Sequence, residues 1–386
     1  MSSSDHPIKR VAKPRRRVLI KVLSGLALLL LVFILKTAYT AGEFKSIRPH
    51  FSGTSRTIAG VVGGEDITID HDAGTAYISA DDRFARRTGQ QAAIGAIYTL
   101  NLGDRNSLPA MMQRIPDEPI APHGISLVTG GDSRKYLYIV DHFQRNNTHR
   151  PEHRILLYLI GSENQLSLVH TYEDKTFLTS PNDVVGIDEK RFYFTNDHGS
   201  VSDFGRKVEE YLQLSKSNIV YWDGAAFRFV VGDVAMANGI NVSQDGRELY
   251  VASTLGKCLI VYHRDPETGD LSNRRDINLN TGVDNIELDE SGNLWIGCHP
   301  KLLTFVRHAG DTSRLSPSQI IRLARTESGE YLVDEIFLDD GSQISGSAVG
   351  AVSGDSLLIG PVMDSKILWC ELSGDKQDIV PSAQSE

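Results

Sequence analysis

The chain has 386 residues, of which 40% are apolar, so it can bury a large core and is neither a disordered nor a fibrous chain. Residues 1–36 carry eight Lys/Arg and one acidic residue, a net charge of +7, against −9 for the whole chain, so residues 37–386 carry about −16. A body this acidic argues against nucleic acid as a partner and favours cations. Three cysteines, Cys258, Cys298 and Cys370, are too few for a disulfide scaffold.

The first predicted element is an apolar segment that follows a basic tail. Residues 1–17 are predicted to be a cytosolic tail and residues 18–39 a transmembrane anchor, since Val18 to Leu35 contain one Lys only. Positive charge before the segment keeps the amino terminus in the cytosol and sends the remainder across the membrane. No clean small-residue cleavage site follows, so we expect an uncleaved anchor; a cleaved signal peptide, giving a secreted form, is the alternative.

After a predicted linker at 40–55, short alternating runs separated by Asp and Gly indicate an all-β domain at 56–376, with a flexible tail at 377–386. Six segments repeat one hairpin pattern, in which a polar turn leads into a strand containing an aromatic residue or Leu. The equivalent positions lie 45 to 63 residues apart and are Tyr77, Tyr138, Tyr193, Tyr250, Trp295 and Leu358. This period predicts a six-bladed β-propeller behind an N-terminal hydrophobic helix.

A second strand precedes each hairpin, and each of these strands begins with polar residues. The six segments read "GEDITID", "PHGISLV", "PNDVVGI", "ANGINVS", "VDNIELD" and "SGSAVGA". In a propeller, equivalent residues of the innermost strands meet at the central axis. Taken singly, Asn and Asp at strand starts are better explained as turn caps. Taken together, these carboxylates and amides would repel one another unless a cation neutralised them, and oxygen ligands without Cys favour Ca²⁺.

Several long segments resemble one known family. "PHGIS", "NDVVGIDEKRFYFTNDH", "ANGINVSQDGRELYVA", "VDNIELDESGNLWIGCHP" and "LLIGPVMDSKILWCEL" are similar, in collinear order, to the signature segments of the serum paraoxonase/arylesterase family. The resemblance extends from about Gly64 to Leu372. It implies a six-bladed propeller with two Ca²⁺ ions in its tunnel and calcium-dependent hydrolysis of lactones and aryl esters.

The resemblance also implies roles for individual residues. The ligands implied for a catalytic calcium are Glu65, Asn182, Asn238, Asp284 and Asn285, and those for a structural calcium are Asp66, Asp183 and the backbone carbonyl of Ile125. His123 and His142 match the family's catalytic dyad, while His198 and His299 match supporting positions around the site. Adjacent residues are expected to serve different ions because successive side chains of a strand point to different sides.

The sequence departs from the family at one covalent link, and two other functions stay open. Vertebrate members bridge the position of Cys370 to a cysteine before the Glu-Asp pair, but "FSGTSRTIAGVVGGED" contains none, so we expect the propeller to close by strand pairing alone. One alternative is a sugar lactonase of the gluconolactonase type, with a single metal; the adjoining polar pairs argue against it. Another is a non-catalytic, membrane-tethered propeller that binds a partner and uses calcium for rigidity.

Overall fold

The computed structural model of the protein describes residues 14–142, 152–162 and 164–373. One long helix, α1 (Pro14–Thr40), precedes six sheets of four or five strands, which are antiparallel apart from one parallel outer pair. Within α1, the segment Val18–Thr40 is long and apolar enough to cross a membrane, and none of its most apolar stretch is buried against the rest of the protein.

The strands follow the chain blade by blade. Two strands precede the blades: β1 (His50–Phe51) and β2 (Gly53–Ala59). Blade 1 contains β3 (Gly64–Asp70), β4 (Thr75–Ala80), β5 (Ala96–Asn101) and β6 (Ala110–Met111), with helix α2 (Arg83–Thr88) between β4 and β5. Blade 2 contains β7 (Gln113–Ile115), β8 (Pro122–Thr129), β9 (Lys135–Asp141), β10 (Arg154–Ile160) and β11 (Gln165–Tyr172). Blade 3 contains β12 (Pro181–Gly186), β13 (Phe192–Asn196), β14 (Ser217–Trp222) and β15 (Phe227–Val234), with α3 (Asp203–Leu212) between β13 and β14.

The second half repeats this plan. Blade 4 contains β16 (Ala237–Val242), β17 (Glu248–Ser253), β18 (Cys258–Arg264) and β19 (Leu271–Asn278). Blade 5 contains β20 (Gly282–Leu288), β21 (Leu294–His299), β22 (Ser318–Arg325) and β23 (Tyr331–Asp339), with α4 (Leu302–Gly310) between β21 and β22, and β1 pairs with its outer strand. Blade 6 contains β24 (Ser347–Ser353), β25 (Ser356–Pro361) and β26 (Lys366–Leu372), and β2 is its outer strand.

The innermost strands β3, β8, β12, β16, β20 and β24 contact one another in a closed ring, which makes the fold a six-bladed β-propeller and confirms the prediction. The six equivalent hairpin positions of the sequence repeat all lie in the strand that pairs with the innermost strand of their blade. Strand pairing begins at His50, inside the segment predicted as a linker. The predicted tail at 377–386 lies outside the described residues.

The repeated Asp and Gly residues have a direct structural reason in the hairpin turns. In blade 5 the Asp289 carboxylate accepts hydrogen bonds from the backbone N–H groups of Ser291 and Asn293, both at 2.9 Å. In blade 4 Gly246 has φ +70°, a left-handed conformation that a side chain disfavours. These turn requirements recur at each blade, and they produced the pattern visible in the sequence.

Each innermost strand has a β-bulge near its start. The pairing register shifts between Gly64 and Asp66 in β3. Equivalent shifts lie in the other five innermost strands, at Pro122/Ile125, Pro181/Val184, Ala237/Ile240, Val283/Ile286 and Ser347/Val349. A bulge inserts an unpaired residue and re-aims its side chain. The six bulges therefore include or adjoin the polar positions that the sequence singles out.

The propeller closes by strand pairing, as predicted. Strand β2, from before blade 1, pairs with β26 along its whole length, from Gly53 opposite Leu372 to Ala59 opposite Lys366. All three cysteines are buried free thiols, so no disulfide supports this junction.

Replacing Ser55 with Cys is expected to add the missing covalent closure. Ser55 lies directly opposite Cys370 in the β2–β26 ladder. Opposed antiparallel residues have Cα atoms about 4.5–5.5 Å apart, within reach of a disulfide, and such a bond adds about 2–4 kcal/mol to the free energy of unfolding. Peptide mass mapping without reductant detects the bond, and thermal unfolding with and without reductant measures its effect. Ser55→Ala is the control; a Cys370 thiol that stays free after oxidation of the Ser55→Cys protein would contradict the prediction.

Helices α2, α3 and α4 each connect the second strand of a blade to the third, so they lie at one end of the propeller, where the innermost strands begin. The end of α1 is fixed to this same end. The carbonyl of Ala41 accepts a hydrogen bond from Leu302 N at 2.9 Å, and the Glu43 carboxylate binds Thr304 N at 3.0 Å and Arg307 Nη2 at 3.0 Å. The apolar helix therefore leaves the propeller from the end that carries the polar strand starts.

Candidate metal and catalytic centre

The bulged strand starts bring residues of different blades into contact at the axis. Asn285 Nδ2 donates hydrogen bonds to the carboxylate Oε1 of Glu65 at 2.9 Å and to its backbone oxygen at 3.0 Å. His123 Nε2 lies 3.4 Å from the same Oε1. Positions 65, 123 and 285, far apart in the sequence, thus form one group, in which Glu65 and Asn285 are almost fully buried.

Four predicted ligands each present a buried side-chain oxygen that has no hydrogen-bond donor. These atoms are Glu65 Oε2, Asn182 Oδ1, Asn238 Oδ1 and Asn285 Oδ1. The amide nitrogens of Asn238 and Asn285 do have acceptors, so these two side chains are oriented with the oxygen left over. A buried oxygen without a partner costs free energy, and four of them at one axis match the needs of a hard cation that takes six to eight oxygens.

The adjacent carboxylates Asp66 and Asp183 bind backbone groups of the neighbouring blades. Asp66 accepts hydrogen bonds from Ile67 N at 2.9 Å and from Ile125 N at 2.7 Å. Asp183 accepts from Val184 N at 2.7 Å and from Ile240 N at 2.8 Å. Each carboxylate therefore joins its own blade to the next, and the two are near enough for the charge of Asp66 to act on Asp183.

Glycines allow the strands to come this close. A Cβ atom on Gly124 would lie 2.2 Å from Asp183 Oδ1, and one on Gly239 would lie 2.4 Å from the backbone oxygen of Asp284. Neither position tolerates a side chain without moving the backbone around the axis. The glycines after His123 and Asn238 are therefore part of the site's geometry.

Burial makes negative charge costly at three of the predicted ligands. Burial raises the pKa of Asp66 well above its usual range, and the charge of Glu65 raises it further. Burial likewise raises the pKa of Asp183. It also raises the pKa of Asp284, although the hydrogen bond from His299 opposes the shift. Ionised carboxylates at these positions therefore need positive charge beside them.

Glu65 differs because it already has cationic and donor neighbours. Burial alone would raise its pKa, but contacts with His123, Arg83 and Asn285 outweigh burial and lower it to about 2. Arg83 Nη2 lies 3.5 Å from Glu65 Oε2. The Arg83 guanidinium is held in place by the carbonyls of Gly63 at 3.0 Å and Pro122 at 2.8 Å.

The two histidines of the predicted dyad are in direct contact. Nδ1 of His123 lies 2.6 Å from Nε2 of His142. A third histidine, which the sequence analysis did not identify, continues the contact: His142 Nδ1 lies 2.8 Å from Nδ1 of His153. Burial, and then the neighbouring His123 and His153, hold the pKa of His142 well below its usual range, so His142 is neutral at neutral pH.

The other two predicted histidines have different surroundings. His299 Nε2 lies 2.8 Å from Asp284 Oδ2, and the imidazole stacks on Phe305 with a centroid distance of 3.8 Å, so His299 orients a predicted ligand. His198 instead lies between Asp197 at 2.7 Å and Glu210 of α3 at 3.1 Å. These two contacts join the residue that follows β13 to α3, and neither partner is a predicted ligand.

The contribution of His198 to stability is expected to decrease as pH rises. Burial lowers its pKa, but the hydrogen bonds that His198 donates to Asp197 and Glu210 outweigh burial and raise the pKa to about 10. In the unfolded chain the pKa is about 6.5. Folding therefore favours the protonated form, and this stabilisation is complete below pH about 6.5 and lost as pH rises toward about 10. The difference in free energy of unfolding between the wild type and His198→Gln should be largest near pH 6.

Chemical unfolding of both proteins across this pH range measures that difference. The matched control is His263→Gln, at an exposed position of β18. A difference in free energy of unfolding between the wild type and His198→Gln that is constant with pH, or that grows toward pH 10, would contradict the assignment.

Two features near the axis were missed by the sequence analysis because no motif marks them. Arg83 is the first residue of α2, and only the fold brings it to Glu65. On the far side of Asp183 a cavity of about 230 Å³ includes Thr68 and Glu287 in its lining. Burial, and then the charge of Asp66, raise the pKa of Glu287 well above its usual range.

Among the described residues, no three His, Cys, Asp or Glu side chains form a metal-binding cluster by themselves. The predicted catalytic set differs from such a cluster in composition, since three of its five members are amides. Amide oxygens are ordinary ligands of Ca²⁺ but not of the softer transition metals. The donor set at the axis therefore fits calcium.

Comparisons with known proteins identify similar sequences and a similar structure. The sequence profile described as Arylesterase matches residues 65–372. Serum paraoxonase/arylesterase 1 of Homo sapiens is 34% identical over 254 residues, which cover 65% of this chain and 68% of that protein. The Rattus norvegicus protein of the same name is 28% identical over 340 residues, covering 85% of this chain and 92% of the relative. In structure, the chain is similar to a luciferin-regenerating enzyme, with a TM-score of 0.52 at 12% identity, over 83% of this chain and 96% of that one.

Proposed function

Because the chain belongs to the arylesterase family and is an esterase/lactonase enzyme, we propose that it hydrolyses lactones and aryl esters in a calcium-dependent reaction at the tunnel axis. A catalytic Ca²⁺ ion would be held by Glu65, Asn182, Asn238, Asp284 and Asn285. A second, structural ion would be held by Asp66, Asp183 and the carbonyl of Ile125.

One observation carries the proposal: the four buried oxygens without donors, on Glu65, Asn182, Asn238 and Asn285. Within the described part of the chain, the three amide oxygens have no compensating group, and the Glu65 oxygen has only the Arg83 guanidinium, 3.5 Å away. Folding would not retain such a set without a further ligand, since each unsatisfied group costs about 1–3 kcal/mol. All four belong to the set that the family resemblance implies for the catalytic ion. The raised pKa of Asp284 has the same explanation, because a cation would stabilise its ionised form.

The chemistry supplied by a bound Ca²⁺ ion is polarisation of the substrate carbonyl and stabilisation of the negative charge that develops on its oxygen. His123 would act as general base toward the attacking water. With the proton of His123 on Nδ1, directed at His142 Nε2 at 2.6 Å, the lone pair on Nε2 faces the axis. After proton uptake, the Glu65 carboxylate, 3.4 Å from Nε2, stabilises the imidazolium.

The experiment is a panel of substrates with and without calcium. Full-length protein is assayed on phenyl acetate, γ- and δ-lactones and a sugar lactone, then after chelation and again after calcium is restored. We expect chelation to lower hydrolysis by about 10²-fold or more, and calcium to restore it. Unchanged hydrolysis after complete removal of the metal would contradict the mechanism. Turnover confined to sugar lactones would favour a gluconolactonase-type enzyme.

We also propose that the apolar helix is an uncleaved anchor, with its amino terminus in the cytosol and the propeller on the extracytoplasmic side. The attachment of Ala41 and Glu43 to α4 supports an active-site end that faces the membrane surface. Protease protection of the propeller in sealed membrane vesicles tests this orientation. Cleavage after the segment would instead give a secreted form.

A further inference from the structure

Three histidines of blade 2 form a continuous series of contacts that begins at the tunnel axis. The successive ring nitrogens are 2.6 Å apart between His123 and His142 and 2.8 Å apart between His142 and His153. Neighbouring rings are steeply inclined to each other, at 68° and 82°, so the contacts join ring edges and are not stacked rings. The dyad implied by the family resemblance accounts for the first contact and not for the second.

The position of His153 is fixed by the pairing of β9 with β10. Asp141 and Arg154 are opposite each other at the end of this ladder, so His142 and His153 are the next facing pair beyond it. The Asp141 carboxylate accepts hydrogen bonds from Arg154 Nε at 2.6 Å and from Ala121 N at 2.6 Å. This buried ion pair joins the ends of β9 and β10 next to the two histidines.

A neutral imidazole has one N–H group and one lone pair, so hydrogen bonds along the series all run in one direction. If His123 Nδ1 donates to His142 Nε2, then His142 Nδ1 must donate to His153 Nδ1, and the remaining proton of His153 is on Nε2. In this arrangement His123 Nε2 is free to act as a base. The reverse arrangement puts a proton on His123 Nε2 and removes the base.

We propose that His153 is a positioning residue for the hydrolysis, which accepts the hydrogen bond of His142 when His142 accepts that of His123 and completes a proton path out of the active site. When His123 Nε2 takes a proton from water, its Nδ1 proton moves to His142 Nε2. The Nδ1 proton of His142 moves to His153 Nδ1, and the Nε2 proton of His153 leaves to solvent. One proton enters and one leaves, and reorientation of the rings or return of protons through water restores the starting arrangement.

The surroundings of His153 suit a residue that passes a proton on without retaining it. The side chain is half-buried, beside Arg206 and Asp197 of blade 3. Burial, and then the charge of Arg206, lower the pKa of His153 to about 4. His153 is therefore neutral at neutral pH and can accept a hydrogen bond from His142. Ester and lactone hydrolysis release an acid. When a substrate fills the tunnel mouth, the proton of that acid can leave through this series of histidines.

This inference depends on the proposed function, and the test separates the two. Full-length, calcium-loaded wild type, His153→Gln, His153→Ala and the surface control His263→Ala are assayed on a lactone and on phenyl acetate. We expect kcat of both His153 variants to fall by about 10-fold or more with KM changed less than about twofold. Free imidazole should restore kcat of His153→Ala toward the wild-type value, and it should not affect His263→Ala.

A kcat of both His153 variants within about twofold of wild type would overturn the inference while calcium-dependent hydrolysis stands. A loss that imidazole does not rescue, in protein whose calcium-loaded thermal unfolding matches wild type, would also overturn it. Rates of the wild type in mixtures of H₂O and D₂O give a readout that needs no variant. A curved dependence of the rate on the fraction of D₂O supports the movement of several protons, and a linear dependence contradicts it. A wild type without any calcium-dependent hydrolysis would overturn the proposed function and the inference together.

Discussion

Replacing Asp183 with Ala is expected to destabilise the propeller strongly, whereas replacing its neighbour Asn182 with Ala is expected to reduce turnover with little loss of stability. The Asp183 carboxylate accepts hydrogen bonds from the backbone of Val184 and of Ile240 in the next blade. Without it, two buried N–H groups lose their acceptor at about 1–3 kcal/mol each, so the free energy of unfolding should fall by roughly 2–6 kcal/mol. The stabilisation by the proposed structural calcium should be lost as well.

Asn182 is a matched comparison because it is equally buried and adjacent in the same bulge. No donor among the described residues binds the Oδ1 atom of Asn182, so removing this side chain breaks no hydrogen bond to that oxygen. We expect kcat/KM of Asn182→Ala to fall at least about 10-fold, through weaker binding of the catalytic ion. Thermal unfolding at several calcium concentrations, together with lactone kinetics, measures both effects. A stable, inactive Asp183→Ala protein beside an unstable, active Asn182→Ala protein would reverse the assignment of the two ions.

The fold was accessible from the sequence because its local requirements repeat in every blade. Turn chemistry at positions such as Asp289 and Gly246 is needed wherever the first two strands of a blade connect. The chain therefore shows the same pattern six times, and six copies are enough to identify the architecture. The polar residues at the axis were accessible for the same reason, since they recur at similar positions before each hairpin.

The local backbone at the axis was not accessible in this way. The family resemblance gives Asn182 and Asp183 to different ions, and simple strand alternation, which puts them on opposite sides of β12, offers a physical reason for that assignment. The structure instead has a bulge between Pro181 and Val184, so neither residue follows the regular alternation. Both are buried, and the roles proposed for them rest instead on their contacts: Asp183 is satisfied by backbone donors, and the Oδ1 of Asn182 is not.

Contacts made by single residues from outside the repeat were also inaccessible. Arg83 reaches Glu65 from α2, and His153 reaches His142 across a chain reversal. Neither residue has an equivalent in the other blades, so self-similarity gives no signal. The facing positions of His142 and His153 follow from the register of β9 and β10, in which Asp141 is opposite Arg154, and this register is not readable from periodicity.

His123→Gln is expected to have the largest effect on catalysis among variants that keep the metal ligands intact. The change removes the proposed general base, so kcat should fall by about 10²–10⁴-fold. Gln retains a polar side chain of similar length beside Glu65, and His123 is not among the proposed calcium ligands. Calcium affinity, KM and thermal unfolding should therefore change little. Lactone and phenyl acetate kinetics, with a calcium titration followed by thermal unfolding, test each part.

The control His263→Gln makes the same substitution at an exposed position of β18, and His263 has no proposed role in the site. Full activity of His123→Gln would remove the histidines from the mechanism but leave the metal proposal intact, because chelation tests the metal separately. Loss of calcium binding in His123→Gln would mean that the contact with Glu65 orders the ligand set. The two outcomes thus distinguish a histidine that accepts a proton from one that only supports Glu65, 3.4 Å away.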